Sequence, residues 1–315
     1  MQLFDLTQDA VSWLSAERPA KAFTEWLVRS PAWVGLGFSG LAAPRGVRPG
    51  DDYWDEFTED SFSALSQVRG PLLALLQKGL WRQPAKWTME RTEQLLGGPV
   101  DYVDIVVSVG LGRRNASMGF WRGKGYAFLW LEYFLEPGTD SAYLDSGLAS
   151  IPIWLGHEIA HALRYAAQGT SSLAPKACAE CDPWSFLEML DKLALGERFL
   201  DEGLATGFAR AVVPDATHEE VLGMSRAETQ WLEESGQRLL RDRLKRWDFA
   251  LWKPPLEWIK DSLWYDPERT KPPWTLERPP GRWGYFVGQR FFARNCKGDW
   301  LQRLTQPFDF RMTGG

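Results

Sequence analysis

The chain has 315 residues, 44% of them apolar, and can bury a sizeable core in one large domain or in two lobes around a cleft. Its 36 basic and 41 acidic residues give a net charge of −5 without a long run of either sign, which argues against nucleic acid as a partner. The sequence shows no secretory signal, no apolar run that could cross a bilayer and only three cysteines, so we expect a globular cytoplasmic protein without a membrane partner.

The first 99 residues alternate amphipathic stretches with residues that break helices. The clearest stretches are residues 9–17, 20–29 and 87–96, and the last of them ends at Gly97 and Gly98. We therefore predict a mostly helical N-terminal lobe over residues 1–99.

A change of pattern near residue 100 indicates strands. Residues 101–109 are rich in β-branched side chains and end at Gly110, and residues 126–134 are rich in aromatic side chains. Both compositions are typical of strands, so we predict a small sheet in this part of the chain.

A helix of about five turns is predicted to begin near Ser150, because Pro152 suits a first turn and Gly169 suits a helix end. Apolar side chains lie on most of its sides, so the helix should be buried. Further helices are predicted over residues 184–195, 198–212, 219–247 (with a break) and 283–295.

The predicted buried helix contains the motif His157-Glu158-Ile159-Ala160-His161. Residues i and i+4 lie one turn apart on one face, so His157 and His161 can direct ring nitrogens at one metal ion about 2 Å from each. Glu158 can reach a water molecule at that ion and is placed as a general base. Without a metal, two imidazoles and a carboxylate on a nearly all-apolar helix would be costly to bury. The motif therefore predicts a zinc site.

Tetrahedral zinc needs a third protein ligand and an open position for water. Metzincins supply that ligand from a longer motif, but Arg164 and Ala167 occupy its last two defining positions here, which excludes this class. The remaining common ligand is a glutamate from a later helix. Arg164 itself is expected to pair with an acidic neighbour or to contact substrate.

Two glutamates compete for the third position. Glu180 has the spacing seen in aminopeptidase-like zincins, but Pro183 follows closely and disfavours a continuing helix. Glu202 lies in a more helix-like stretch, and the small Ala205 three residues later leaves room for the metal-binding helix. The sequence favours Glu202.

The combination of the HEIAH motif with Asp201-Glu202-Gly203-Leu204-Ala205 resembles the gluzincin metallopeptidases. More narrowly, the order H-E-x-x-H, E-G-L-A and G-Y-x-x-G, the last at residues 284–288, resembles a group of uncharacterised bacterial Zn-dependent proteases. The resemblance covers about residues 101–295 and implies a zinc-dependent peptidase acting on a peptide or protein substrate.

The fold that this resemblance implies is α+β and zincin-like, with a small mixed sheet and an HExxH active-site helix between mostly helical N- and C-terminal lobes. The zincin catalytic core is expected over residues 100–212. Residues 213–315 are expected to form a helical part that closes the cleft.

In the implied mechanism, zinc held by His157, His161 and Glu202 polarises a water molecule and the scissile carbonyl, and Glu158 moves a proton to the leaving amine. Tyr285 is the candidate donor to the oxyanion. The other interpretation of Tyr285 is an aromatic core residue between two glycines at a helix contact.

Two further expectations come from the resemblance. An edge strand would hold an extended substrate by β-addition, and residues 101–110 or 126–134 could supply it. Many gluzincins also carry an acidic residue four positions after the ligand glutamate, where it orients a histidine. Thr206 stands at that position here, so Thr206 or Asp201 is the candidate substitute.

Two other functions remain open at this stage. One is a catalytically silent zincin-like binding or regulatory module, and the other is a zinc hydrolase of a non-peptide amide or ester. Glu158 favours an enzyme, because a silent metal site has no need of a carboxylate beside its ligands. The sequence gives no indication of the oligomeric state.

Overall fold

A computed structural model of the chain describes residues 1–29, 50–111, 115–121, 123–135, 147–168, 195–244, 269, 271–295 and 299–305. The described part of the first hundred residues is mostly helical. Its helices are α1 (Thr7–Leu14), α2 (Pro19–Arg29), α3 (Asp52–Ser66), α4 (Arg69–Lys78) and α5 (Arg82–Leu95).

The strands form one mixed sheet. They are β1 (Leu3–Asp5), β2 (Val103–Ser108), β3 (Ala116–Trp121) and β4 (Lys124–Trp130), in the order β1-β2-β4-β3. β1 and β4 pair with β2 in parallel, and β3 pairs with β4 in the antiparallel direction. The fold is therefore α+β with a small mixed sheet, as the sequence predicts.

The two predicted strands, β2 and β4, are the inner strands of this sheet. Each has a neighbour on both sides, so its main-chain groups are already paired. The expectation that residues 101–110 or 126–134 offer an edge to a substrate is therefore wrong. Within the described residues the outer strands are β1 and β3, and the sequence analysis predicted neither.

The helix that carries the HEIAH motif, α6 (Ile151–Gln168), has the predicted length of five turns. It packs against β4 and β3. A Cβ atom at Gly125 of β4 would lie 2.5 Å from the carbonyl oxygen of Ala162, so the backbones of helix and strand are in direct contact there. This contact is one residue from His161.

The next described helix, α7 (Leu195–Val212), packs along α6 and contains Glu202. Gly156 permits the close approach, because a Cβ atom at that position would lie 3.3 Å from the side chain of Val212. The predicted helix over residues 198–212 is therefore part of α7. The helix predicted over residues 184–195 falls almost wholly outside the described residues.

The C-terminal helices are α8 (His218–Leu222), α9 (Arg226–Leu244), α10 (Trp283–Asn295) and α11 (Trp300–Thr305). The break predicted within residues 219–247 occurs at Gly223, whose φ of +61° ends α8. The prediction for residues 283–295 is confirmed by α10. Among the described helices, none has the length and apolar character needed to cross a membrane.

Helix α10 crosses α7 with the two backbones in contact. A Cβ atom at Gly203 would overlap the backbone of Gly288, and one at Gly288 would overlap the carbonyl oxygen of Phe199. Both positions therefore require glycine. The crossing brings the first turn of α10, which contains Tyr285, beside Glu202 of α7.

Candidate metal centre

Three side chains predicted as ligands meet where α6 faces α7. The Nε2 atoms of His157 and His161 lie 3.0 Å apart. Oε2 of Glu202 lies 3.2 Å from Nε2 of His157 and 3.5 Å from Nε2 of His161. Both histidines are buried, and Glu202 is partly exposed. The fold thus brings together residues that lie 45 positions apart in the chain.

The spacing of these three atoms fits a metal site. Ligand atoms that share one tetrahedral zinc ion at about 2.0–2.1 Å lie ~3.3 Å from each other, and the three distances here are 3.0, 3.2 and 3.5 Å. Two imidazoles and a carboxylate are also a common donor set for catalytic zinc. Among the described residues, these three form the group of histidines and acids that could hold a metal ion.

The electrostatics of the group favour an anionic Glu202. Burial acts to raise the pKa of Glu202, but the charge of His161 and hydrogen bonds from both imidazoles bring that pKa well below its usual range. Burial likewise acts to lower the pKa of His161, yet the carboxylates of Asp201 and Glu202 raise it well above its usual value. The group therefore attracts positive charge, whether a proton or a metal cation.

A carboxylate contacts His161 on its far side. Its Nδ1 atom lies 3.0 Å from Oδ2 of Asp201, and the hydroxyl of Tyr165 donates to the same oxygen at 2.9 Å. Nε of Arg164 forms an ion pair with Oδ1 of Asp201 at 3.1 Å. Arg164 thus has the acidic neighbour that the sequence analysis expected.

His157 is held mainly by aromatic rings. Its ring stacks on that of Tyr285, with centroids 5.5 Å apart and planes 16° apart, and Trp154 lies 6.3 Å away at a tilt. Its Nδ1 atom is buried and has no hydrogen-bond partner among the residues that the structure describes. The two histidines therefore have different supports.

Tyr285 lies against the site rather than in a remote part of the core. Its ring stacks on that of His157, and its hydroxyl is near enough to the Glu202 carboxylate for that charge to affect the pKa of Tyr285. Burial and the charges of Glu202 and Glu158 raise its pKa well above the usual value. The hydroxyl consequently keeps its proton at neutral pH and can act as a donor.

Glu158 and Thr206 are the remaining predicted residues on these two helices. Glu158 follows His157 on α6 and is partly exposed, whereas the two histidines are buried. The hydroxyl of Thr206 donates to the carbonyl oxygen of Glu202 at 2.7 Å, within its own helix. Of the two candidates to orient a histidine, it is thus Asp201 that contacts His161. Glu180 lies outside the described residues.

Tyr165 and Trp154 also belong to this site, although neither was predicted from the sequence. Both stand at helical spacing from the histidines, Tyr165 four residues after His161 and Trp154 three residues before His157. That spacing places each near a histidine on the helix surface and is the signal that could have identified them.

Comparisons with protein-family models, with curated proteins and with solved structures found no match for this chain. The assignment of a function therefore depends on the geometry and chemistry of the site.

Proposed function

We propose that this protein is a zinc-dependent peptidase with a zincin-like core and a gluzincin-type ligand set. The observation that carries the proposal is the convergence of His157, His161 and Glu202, whose ligand atoms lie 3.0–3.5 Å from each other. These three residues would hold the ion. When bound, zinc supplies a Lewis acid that polarises a carbonyl and lowers the pKa of water.

Glu158 has the role of general base in this proposal. It directly follows the ligand His157, is partly exposed where the histidines are buried, and is close enough to Tyr285 for its charge to raise the pKa of that residue. A carboxylate in this position accepts a proton from the attacking water and later donates it to the leaving amine.

Tyr285 has the role of hydrogen-bond donor to the carbonyl oxygen as negative charge develops there. Its raised pKa keeps the hydroxyl protonated, and its stacking on His157 fixes the ring beside the ligands. A fixed donor of this kind stabilises the transition state more than the ground state.

An extended substrate would align along β3. This strand has one neighbour, β4, among the described strands, and it packs against α6. Binding by β-addition uses main-chain hydrogen bonds for affinity and leaves side-chain selection to nearby pockets. In this proposal β3 takes the role that the sequence analysis gave to the β2 or β4 segment.

Metal analysis of the purified chain tests the ligand set. We expect about one zinc per chain in the wild type, and loss of zinc in His157→Ala and Glu202→Ala. His218→Ala is the matched control, since His218 is the third histidine of the chain and lies on α8. Retention of zinc by Glu202→Ala would remove Glu202 from the ligand set.

Digestion of a peptide library tests the reaction. We expect the wild type to cleave peptide bonds and Glu158→Gln to lose roughly 100-fold or more of this activity while it keeps zinc. Glu90→Gln, on the exposed surface of α5, is the control and should behave as the wild type. Cleavage by Glu158→Gln at the wild-type rate would contradict the proposal, and a zinc-loaded wild type that cleaves no peptide would favour a silent site.

A further inference from the structure

Asp201 is a buried carboxylate that the proposed reaction does not use. It precedes Glu202 on α7, so its side chain points about 100° away from the ligand around the helix axis. Only 8% of the residue is exposed. A buried carboxylate costs free energy unless its oxygens are paired, so its partners indicate why it is there.

Three side chains on one side of α6 contact the Asp201 carboxylate. Arg164 and Tyr165 lie three and four residues after His161, one turn further along the helix. Oδ2 of Asp201 lies 3.0 Å from Nδ1 of His161 and accepts from the Tyr165 hydroxyl at 2.9 Å. Oδ1 lies 3.1 Å from Nε of Arg164. Oδ2 thus holds the contacts to His161 and Tyr165, whereas Oδ1 is in an ion pair with Arg164 that lacks the geometry of a hydrogen bond.

This arrangement determines which nitrogen of His161 carries the proton. A carboxylate oxygen can only accept, so the hydrogen bond at 3.0 Å requires a proton on Nδ1. In the neutral ring the lone pair is then on Nε2, the atom that faces His157 and Glu202. His157 has no equivalent support, because no described residue forms a hydrogen bond with its Nδ1.

We propose that Asp201 is a positioning residue that fixes the tautomer and orientation of His161 for metal binding, and that Arg164 and Tyr165 hold Asp201 in place. The inference rests on the proposed zinc site. It places the supporting carboxylate one residue before the ligand glutamate. Four residues after that glutamate, the Thr206 hydroxyl donates within its own helix, to the carbonyl oxygen of Glu202. Such supporting hydrogen bonds typically contribute 10- to 100-fold to metal affinity.

The test is the zinc affinity of the full-length chain, measured by competition with a chromophoric chelator. In Asp201→Asn the side-chain amide has two possible orientations. If its NH2 group faces Nδ1 of His161, it favours the tautomer with the proton on Nε2. If the NH2 group faces Arg164, it meets a guanidinium group that cannot accept a hydrogen bond. We expect the zinc affinity of Asp201→Asn to be about 10- to 100-fold below that of the wild type. Tyr165→Phe loses one hydroxyl, so its zinc affinity should fall less, by up to about 10-fold.

Thr206→Ala is the matched control on the same helix. It removes a buried hydroxyl whose hydrogen bond among the described residues is to a backbone carbonyl oxygen, so the zinc affinity should match that of the wild type. The visible spectrum of the cobalt-substituted protein is a second measurement, since a reoriented His161 changes the ligand field. We expect the spectrum to change in Asp201→Asn and to stay unchanged in Thr206→Ala.

Several results would overturn the inference. The first is a zinc affinity of Asp201→Asn equal to that of the wild type, and the second is an equal loss of zinc affinity in Asp201→Asn and Thr206→Ala. If Asp201→Asn does not fold, a wild-type zinc affinity in Tyr165→Phe would overturn it. Failure of the proposed function is a separate outcome. If the protein cleaves no peptide but its variants show the expected order of zinc affinities, the positioning role of Asp201 is supported and the proposed peptidase activity is contradicted.

Discussion

At the scale of single residues, Tyr285 combines two contacts that can be separated by mutation. Its ring stacks on His157, and its hydroxyl, which is near the charge of Glu202, is the proposed donor to the substrate carbonyl. Phenylalanine at this position keeps the ring and removes only the hydroxyl. The substitution therefore distinguishes a donor from an aromatic residue that only fills the core.

For Tyr285→Phe we expect kcat for peptide cleavage to fall roughly 100-fold, because a donor that acts mainly in the transition state is lost. KM and zinc content should change little. The measurement is steady-state kinetics on a peptide that the wild type cleaves, with zinc content determined for the same samples. An unchanged kcat would restrict Tyr285 to packing.

The residues of the site differ in how far the sequence could predict them. His157, Glu158 and His161 lie within one helical turn, so local geometry alone places them on one helix. Glu202 could be favoured over Glu180 as the third ligand because the residues around Glu202 have a helical pattern. The link between His161 and Asp201 spans 40 positions and depends on the packing of α7 on α6, which no local pattern encodes.

At the scale of secondary-structure elements, the position of Tyr285 depends on the crossing of α7 and α10. Gly203 and Gly288 meet there without intervening side chains. Tyr285 precedes Gly288 by three residues and so lies on the same face of α10. The distance between the two helices thus determines whether the tyrosine reaches Glu202.

For Gly288→Ala we expect the free energy of unfolding to fall by about 1–3 kcal/mol or more, because the new methyl group overlaps the carbonyl oxygen of Phe199. Urea denaturation followed by circular dichroism measures the change. Gly70→Ala is the control, since Gly70 is an exposed glycine in α4 with no atom within 4 Å of an added Cβ. That variant should change the free energy of unfolding by only about 0.5 kcal/mol, because Gly70 is exposed at the start of its helix. Equal stability of the two variants would contradict the close crossing.

The strands show the same limit of local prediction. β2 and β4 are buried and rich in β-branched or aromatic residues, so composition identifies them. β1 has three residues, and β3 includes Ser117 and Gly119, which are weak strand formers. These two strands are stabilised mainly by pairing with β2 and β4, and the sequence pattern contains no information about that pairing.

At the scale of the whole molecule, zinc would link α6 to α7, whose ligands lie far apart in the chain. An ion that binds the folded protein and not the unfolded chain stabilises the fold in proportion to its affinity. With free zinc at roughly 1,000 times the Kd, we expect the free energy of unfolding to rise by about 4 kcal/mol. Denaturant titration with zinc and with a chelator measures the difference.

The variant His157→Ala separates this effect from unspecific binding of zinc. Its stability should not depend on zinc, whereas that of His218→Ala should respond as the wild type does. A wild-type stability that is the same with zinc and with chelator would contradict a metal site between the two helices.

Gly125 has a consequence for how this protein can vary. The height of α6 above the sheet is determined at that residue by two backbones in contact, and His161 lies next to the contact. Side chains can adopt other rotamers when a neighbour changes, but backbone atoms in contact cannot. Natural variants should therefore exchange many of the aromatic core residues and still keep glycine at position 125, since any larger residue would lift His161 away from its partners.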